Sequence, residues 1–165
     1  MHQYKCEYFK LEELFPPELM SMPPEYLWGL MDENLLVVLD RLRIAIGKPI
    51  TINNWKTGGQ YKWSGFRTNT CKIGAAKSAH RKGQAVDLKI KGMTPAEVLE
   101  FIISRYDEFP EIKRVENVIK TPTWLHIDTV ETKQKTLYIF NPWKERLDGI
   151  HNPSNYILIY SSTWV

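Results

Sequence analysis

Two short segments, AVDLKI at 85–90 and WLHIDTV at 124–130, alternate apolar and polar residues with the period of a half-buried strand. In the first, Val86, Leu88 and Ile90 fall on one face and Asp87 on the other; in the second, Trp124, His126 and Asp128 share a face opposite Leu125, Ile127 and Thr129. Each strand thus offers a polar side chain from an otherwise apolar segment. Pairing in one sheet would let those polar groups converge.

Helical signals flank the strands. Leu27, Met31, Leu35, Val38, Leu42 and Ile46 recur at steps of three and four, which predicts one long amphipathic helix closed by Gly47 and Pro49. TPAEVLEFIISRYDEF, from Thr94, has an N-cap threonine, Pro95 at the first helical position and Glu97 three beyond the cap, a capping box. PITINNW reads as a short strand. RVENVI, the turn KTPT and WLHIDTV read as a β-hairpin, with TLYIF and NYILIYSSTWV as further strands. Helices before and between antiparallel strands predict an α+β fold, an antiparallel sheet with flanking helices. Residues 56–82 are Gly- and Lys-rich and without a period, a long excursion of the kind that carries function.

A chain of 165 residues, 43% hydrophobic, fits a single domain over 1–165 with little room for a separate targeting module. Its net charge of +3 favours anionic partners without choosing among nucleic acid, cell wall and membrane. Cys6 and Cys71 read as isolated thiols, with no CxxC spacing for a thiolate metal site. The start of the chain has no apolar core of a signal peptide, and the longest aliphatic run, LLVVL, is too short to span a bilayer. Cytoplasmic synthesis without membrane insertion is therefore expected. Trp55, Tyr61, Lys62, Trp63, Phe66 and Arg67 interleave aromatic and basic groups as single-strand binders do. No OB, RRM or helix-turn-helix signature accompanies them, so no nucleic-acid partner is expected.

The histidines are His2, His80, His126 and His151. His80, Asp87 and His126 would supply two imidazoles and a carboxylate, the ligand set of a catalytic zinc with one position open to water. Spacing alone also fits plainer roles: a solvated loop histidine, a turn-capping aspartate and a strand histidine with satisfied hydrogen bonds.

The residues around this set resemble a known family. SAHRKGQAVD, with Ser78, His80, Gly83, Ala85 and Asp87, is similar to the SxHxxGxAxD signature of the zinc D-Ala-D-Ala carboxypeptidases and L-Ala-D-Glu endopeptidases, which share the hedgehog fold. Trp124 and His126 match that family's closing WxH element, SGFR at 64–67 its GYR-type element, and YFKLEELF the openings of phage, endolysin-like members. The resemblance covers about residues 8–130 and leaves 131–165 as a C-terminal extension. It implies a monomeric Zn2+ metallopeptidase acting on peptidoglycan peptides of the cell wall, reached by release or on a phage particle. His80, Asp87 and His126 would be the metal ligands, Ser78 would orient a ligand or substrate, and Arg67 would fork onto a substrate carboxylate. Gly83 would allow the close approach of loop to strand, and Ala85 would keep bulk away from the metal.

One position departs from the family. Where members carry a Glu or Asp three residues before the last histidine as general base, this chain has Thr123, which cannot take a proton at neutral pH. Two carboxylates remain as catalytic candidates: Asp128, on the face of His126, which stands first, and Glu116, whose facing depends on the hairpin register. The alternative is a non-catalytic zinc-binding module of a phage particle.

Overall fold

The computed structural model describes residues 3–132, 137–140 and 156–158; His2, His151 and most of the C-terminal extension lie outside them. After α1 (Leu11–Leu14) come α2 (Pro24–Gly29) and α3 (Glu33–Ile46). The single helix expected across Leu27–Ile46 is therefore two. The break lies at Asp32, whose side chain caps α3 by accepting from the Leu35 N–H at 3.1 Å. The same residue donates its N–H to the Gly83 carbonyl at 3.0 Å and accepts from the Thr129 hydroxyl at 3.0 Å. The apolar stripe survives the break, because Leu27, Met31, Leu35, Val38 and Leu42 are all buried.

The strands are β1 (Ile50–Thr51), β2 (Ala85–Ile90), β3 (Arg114–Glu116), β4 (Leu125–Asp128), β5 (Tyr138–Phe140) and β6 (Tyr156–Leu158), with α4 (Pro95–Ser104) between β2 and β3. Both halves of the capping box at Thr94 and Glu97 are present. The fold is α+β, and the sheet order is β1-β2-β4-β3-β5-β6.

The expected all-antiparallel sheet is corrected to a mixed one, because β3 and β5 run parallel, with Val115 opposite Ile139. The reason is topological. β4 returns antiparallel to β3 on one side, and β5, reversing again, takes the other side and so matches β3 in direction. The hairpin connection is also longer than KTPT: Asn117 leaves the ladder early, its side-chain oxygen accepting from the Ile119 N–H at 3.0 Å.

Period-two alternation gives the sheet two unlike faces. Val86, Leu88, Ile90, Val115, Leu125 and Ile127 join α3 and α4 residues in one core. The other face carries Asp87, His126, Asp128 and Arg114 and lies beneath the excursion before β2. That excursion is stitched down rather than loose. Phe66 N–H donates to the Leu14 carbonyl at 2.8 Å, Asn53 N–H to Glu13 at 3.0 Å, and Ser64 N–H to the Asn53 side chain at 3.0 Å.

Candidate metal centre

His80 sits in a single 3-10 turn, Ala79–Lys82, ended by Gly83 in the left-handed region at φ 67°. The tight turn lets the loop press against the α2–α3 joint: a Cβ on Gly83 would collide with the Leu30 carbonyl oxygen. Asp87 comes from β2 and His126 from β4, directly opposite one another in the ladder. All three side chains are buried.

Their ligand atoms form a small triangle. His80 Nε2 lies 3.2 Å from His126 Nδ1 and 3.2 Å from Asp87 Oδ1, and His126 Nδ1 lies 2.9 Å from Asp87 Oδ1. Ligands about 2.0–2.1 Å from a tetrahedral zinc stand roughly 3.3 Å apart, so these edges fit a metal with little adjustment. Among the described residues, this is the group of three metal-ligating side chains that converges.

The nitrogens turned away from the triangle are also held. His80 Nδ1 donates to the Gly65 carbonyl at 2.8 Å, and His126 Nε2 lies 3.3 Å from Asp128 Oδ2. An acceptor on the outer nitrogen fixes the tautomer and leaves the inner lone pair free for a cation, the support that metal-bound histidines receive. The second oxygen of Asp87 accepts from Arg67 at 2.6 Å, and the Asp87 N–H donates to the Ser64 carbonyl at 2.7 Å. SGFR therefore supports two of the three ligands from above.

Arg67 is itself buried, and its Nε donates to the Trp63 carbonyl at 2.7 Å. Ser78 is half-buried at the start of the 3-10 turn, and its carbonyl accepts from the Arg81 N–H at 3.0 Å. It borders the Arg67 guanidinium across Gly74, where an added Cβ would lie 2.8 Å from Arg67 Nη1 and 3.8 Å from Ser78 Oγ. Ala85 pairs with Asp128 across the ladder.

The two candidate bases differ in their surroundings. Asp128 is fully buried, with Arg114 Nε at 2.9 and 3.0 Å from its two oxygens and Nη2 at 2.8 Å from Oδ2; Val130 N–H donates to Oδ1 at 3.1 Å. Glu116 is half-buried, and one step beyond the Val115–Ile127 pair sets it across from His126 on the same face. Thr123 is exposed in the turn before β4.

Charge at the site follows from these neighbours. Burial pushes the His80 pKa down and keeps that imidazole neutral, outweighing Asp87. Burial also opposes ionisation of Asp87, yet His80 and His126 hold its carboxyl well below the usual range. At His126 burial again favours the neutral ring, but Glu116, Asp128 and Asp87 outweigh it and raise the pKa to about 10. Burial raises Glu116, whereas His126 and Arg114 overcome burial and lower Asp128. In the metal-free protein one proton on His126 thus occupies the place a cation would take.

The sequence marked the three candidate ligands but not Arg114 or the Gly65 carbonyl. Arg114 depends on the β3–β4 register, and Gly65 contributes only its carbonyl, which no side-chain pattern reveals. Comparison of the chain with protein-family models, with curated proteins and with solved structures finds no match.

Proposed function

We propose that this chain is a zinc-dependent peptidase acting on peptidoglycan stem peptides, in the manner of the D-Ala-D-Ala carboxypeptidases and L-Ala-D-Glu endopeptidases whose signature it resembles, with their hedgehog-type fold. The observation that carries the reading is the triangle of His80 Nε2, His126 Nδ1 and Asp87 Oδ1, with each imidazole held through its outer nitrogen. Three protein ligands, none of them a thiolate, are the set of a hydrolytic zinc rather than a structural one. Zinc bound there would lower the pKa of a water ligand toward about 7 and polarise a peptide carbonyl. Glu116 is the group we assign to take the proton, since burial raises its pKa toward the working range of a base. Asp128 keeps the His126 ring in place and stays ionised against Arg114.

A second reading, a zinc-binding module without activity, is favoured by Thr123 at the position where the resembled family keeps its base. Metal analysis and digestion of purified muropeptides separate the two. About one zinc per chain is expected, lost in both His80→Ala and His126→Ala, with a D-amino-acid peptide bond cut by the unmodified protein. Zinc retained by both variants would end the ligand assignment. Intact muropeptides with zinc present would leave the module.

A further inference from the structure

Lys89 follows Asp87 by two residues in β2 and so shares its face of the sheet. Its ammonium lies 4.0 Å from the centroid of the Tyr61 ring. One register step beyond the Leu88–Leu125 pair sets Trp124 across from it on β4, and Thr51 faces it from β1. Among the described residues the Lys89 ammonium makes no ion pair and no side-chain hydrogen bond, although the residue is only partly exposed. The other cations of this face are taken: Arg67 is tied to Asp87 and to the Trp63 carbonyl, and Arg114 to Asp128. The face therefore holds one ammonium on an aromatic shelf, beside the metal triangle, within the field of Asp87 but in no ion pair with it among the described residues.

We infer that Lys89 is a specificity-determining residue that binds a free carboxylate on the substrate residue just past the bond to be cut. The inference rests on the peptidase reading. Two strand residues separate the Asp87 and Lys89 Cα atoms by about 7 Å, and one peptide residue spans about 3.8 Å. A carbonyl at the triangle and a carboxylate on the next residue thus fit the reach of a lysine stem. Both bonds named above place such a group there: the terminal carboxylate of D-Ala, or the free α-carboxylate of a D-Glu linked onward through its γ-carboxyl.

The test uses zinc-loaded protein and two probe pairs: N-acetyl-L-Lys-D-Ala-D-Ala against its C-terminal amide, and L-Ala-γ-D-Glu-L-Lys against its α-carboxamide. Binding is read by calorimetry and turnover by chromatography. Lys89→Gln should weaken binding of the free-carboxylate member of one pair by about 10- to 100-fold, leave the amide member and the zinc content unchanged, and be partly rescued by Lys89→Arg. The pair that responds identifies the source of the carboxylate. An equal loss on both members, or none on either, would overturn the assignment. Carboxylate-selective binding with no turnover by the unmodified protein would sink the peptidase reading and keep Lys89. Turnover without carboxylate preference would do the reverse, and no binding of any probe would remove both.

Discussion

Both oxygens of Asp128 face the Arg114 guanidinium at 2.9 and 3.0 Å, and one of them also meets His126 Nε2. Such a carboxylate has no lone pair to spare and a pKa held low, so it orients the ring. Glu116, in no ion pair with a guanidinium among the described residues and with a pKa raised by burial, suits proton transfer. The two variants should therefore separate. Asp128→Asn removes half of a buried ion pair, which costs about 3–5 kcal/mol, and should weaken zinc binding by about 10–100-fold. Glu116→Gln should keep fold and zinc and lower kcat on a muropeptide by about 100-fold or more. Thermal unfolding, zinc titration and kcat measured together decide it. Full turnover in Glu116→Gln would move the base elsewhere.

At the scale of elements, the 3-10 turn carrying His80 rests on Gly83, which combines positive φ with contact against the α2–α3 joint. Gly92 also has positive φ, at 75°, but a Cβ there meets nothing within 4 Å. Gly92→Ala should lose only the conformational term, about 1 kcal/mol. Gly83→Ala must also push the loop from the Leu30 carbonyl and should lose at least about 2 kcal/mol more, with weaker zinc binding. Equal losses in urea unfolding would mean that the loop yields freely. The same contacts explain what could be read from the sequence. Alternation in β2 and β4 put Asp87 and His126 on polar faces, and the Thr94 capping box is entirely local. The helix break was hidden because Asp32 interrupts an unbroken stripe through partners at Gly83 and Thr129. Glu116, Arg114 and the parallel β3–β5 pair all depend on strand register or order, which local pattern does not set. Nothing local singles Lys89 out among the 22 basic residues; its neighbours Tyr61, Thr51 and Trp124 come from other parts of the chain.

Across the whole molecule, three carboxylates at the centre, Asp87, Glu116 and Asp128, face two guanidiniums, Arg67 and Arg114. In the metal-free protein the proton on His126 adds a third positive charge within the cluster, with the Lys89 ammonium beside it. Because the His126 pKa rises from the ordinary 6.5 to about 10, the stability this proton contributes is fully present below about pH 6.5 and is lost as pH climbs through about 10. On the proposed reading, zinc would have to displace it. Binding near pH 7.5 should release about one proton per ion, read by calorimetry in two buffers of different ionisation enthalpy. The gap in Tm between zinc-loaded and chelated protein should widen from about pH 6.5 to 9, and a constant gap would show that His126 is already neutral. The pairing of Asp87 with His126 carries one more consequence. A slip of one residue between β2 and β4 would turn His126 toward the core and bring Leu125 or Ile127 to the other ligands. His80 and Asp87 are made early and close together in the chain, whereas His126 arrives 39 residues after Asp87. A bound ion would then act as a proofreader, holding fast the chains whose last ligand has docked in the correct register and leaving misaligned ones free to unpair and try again.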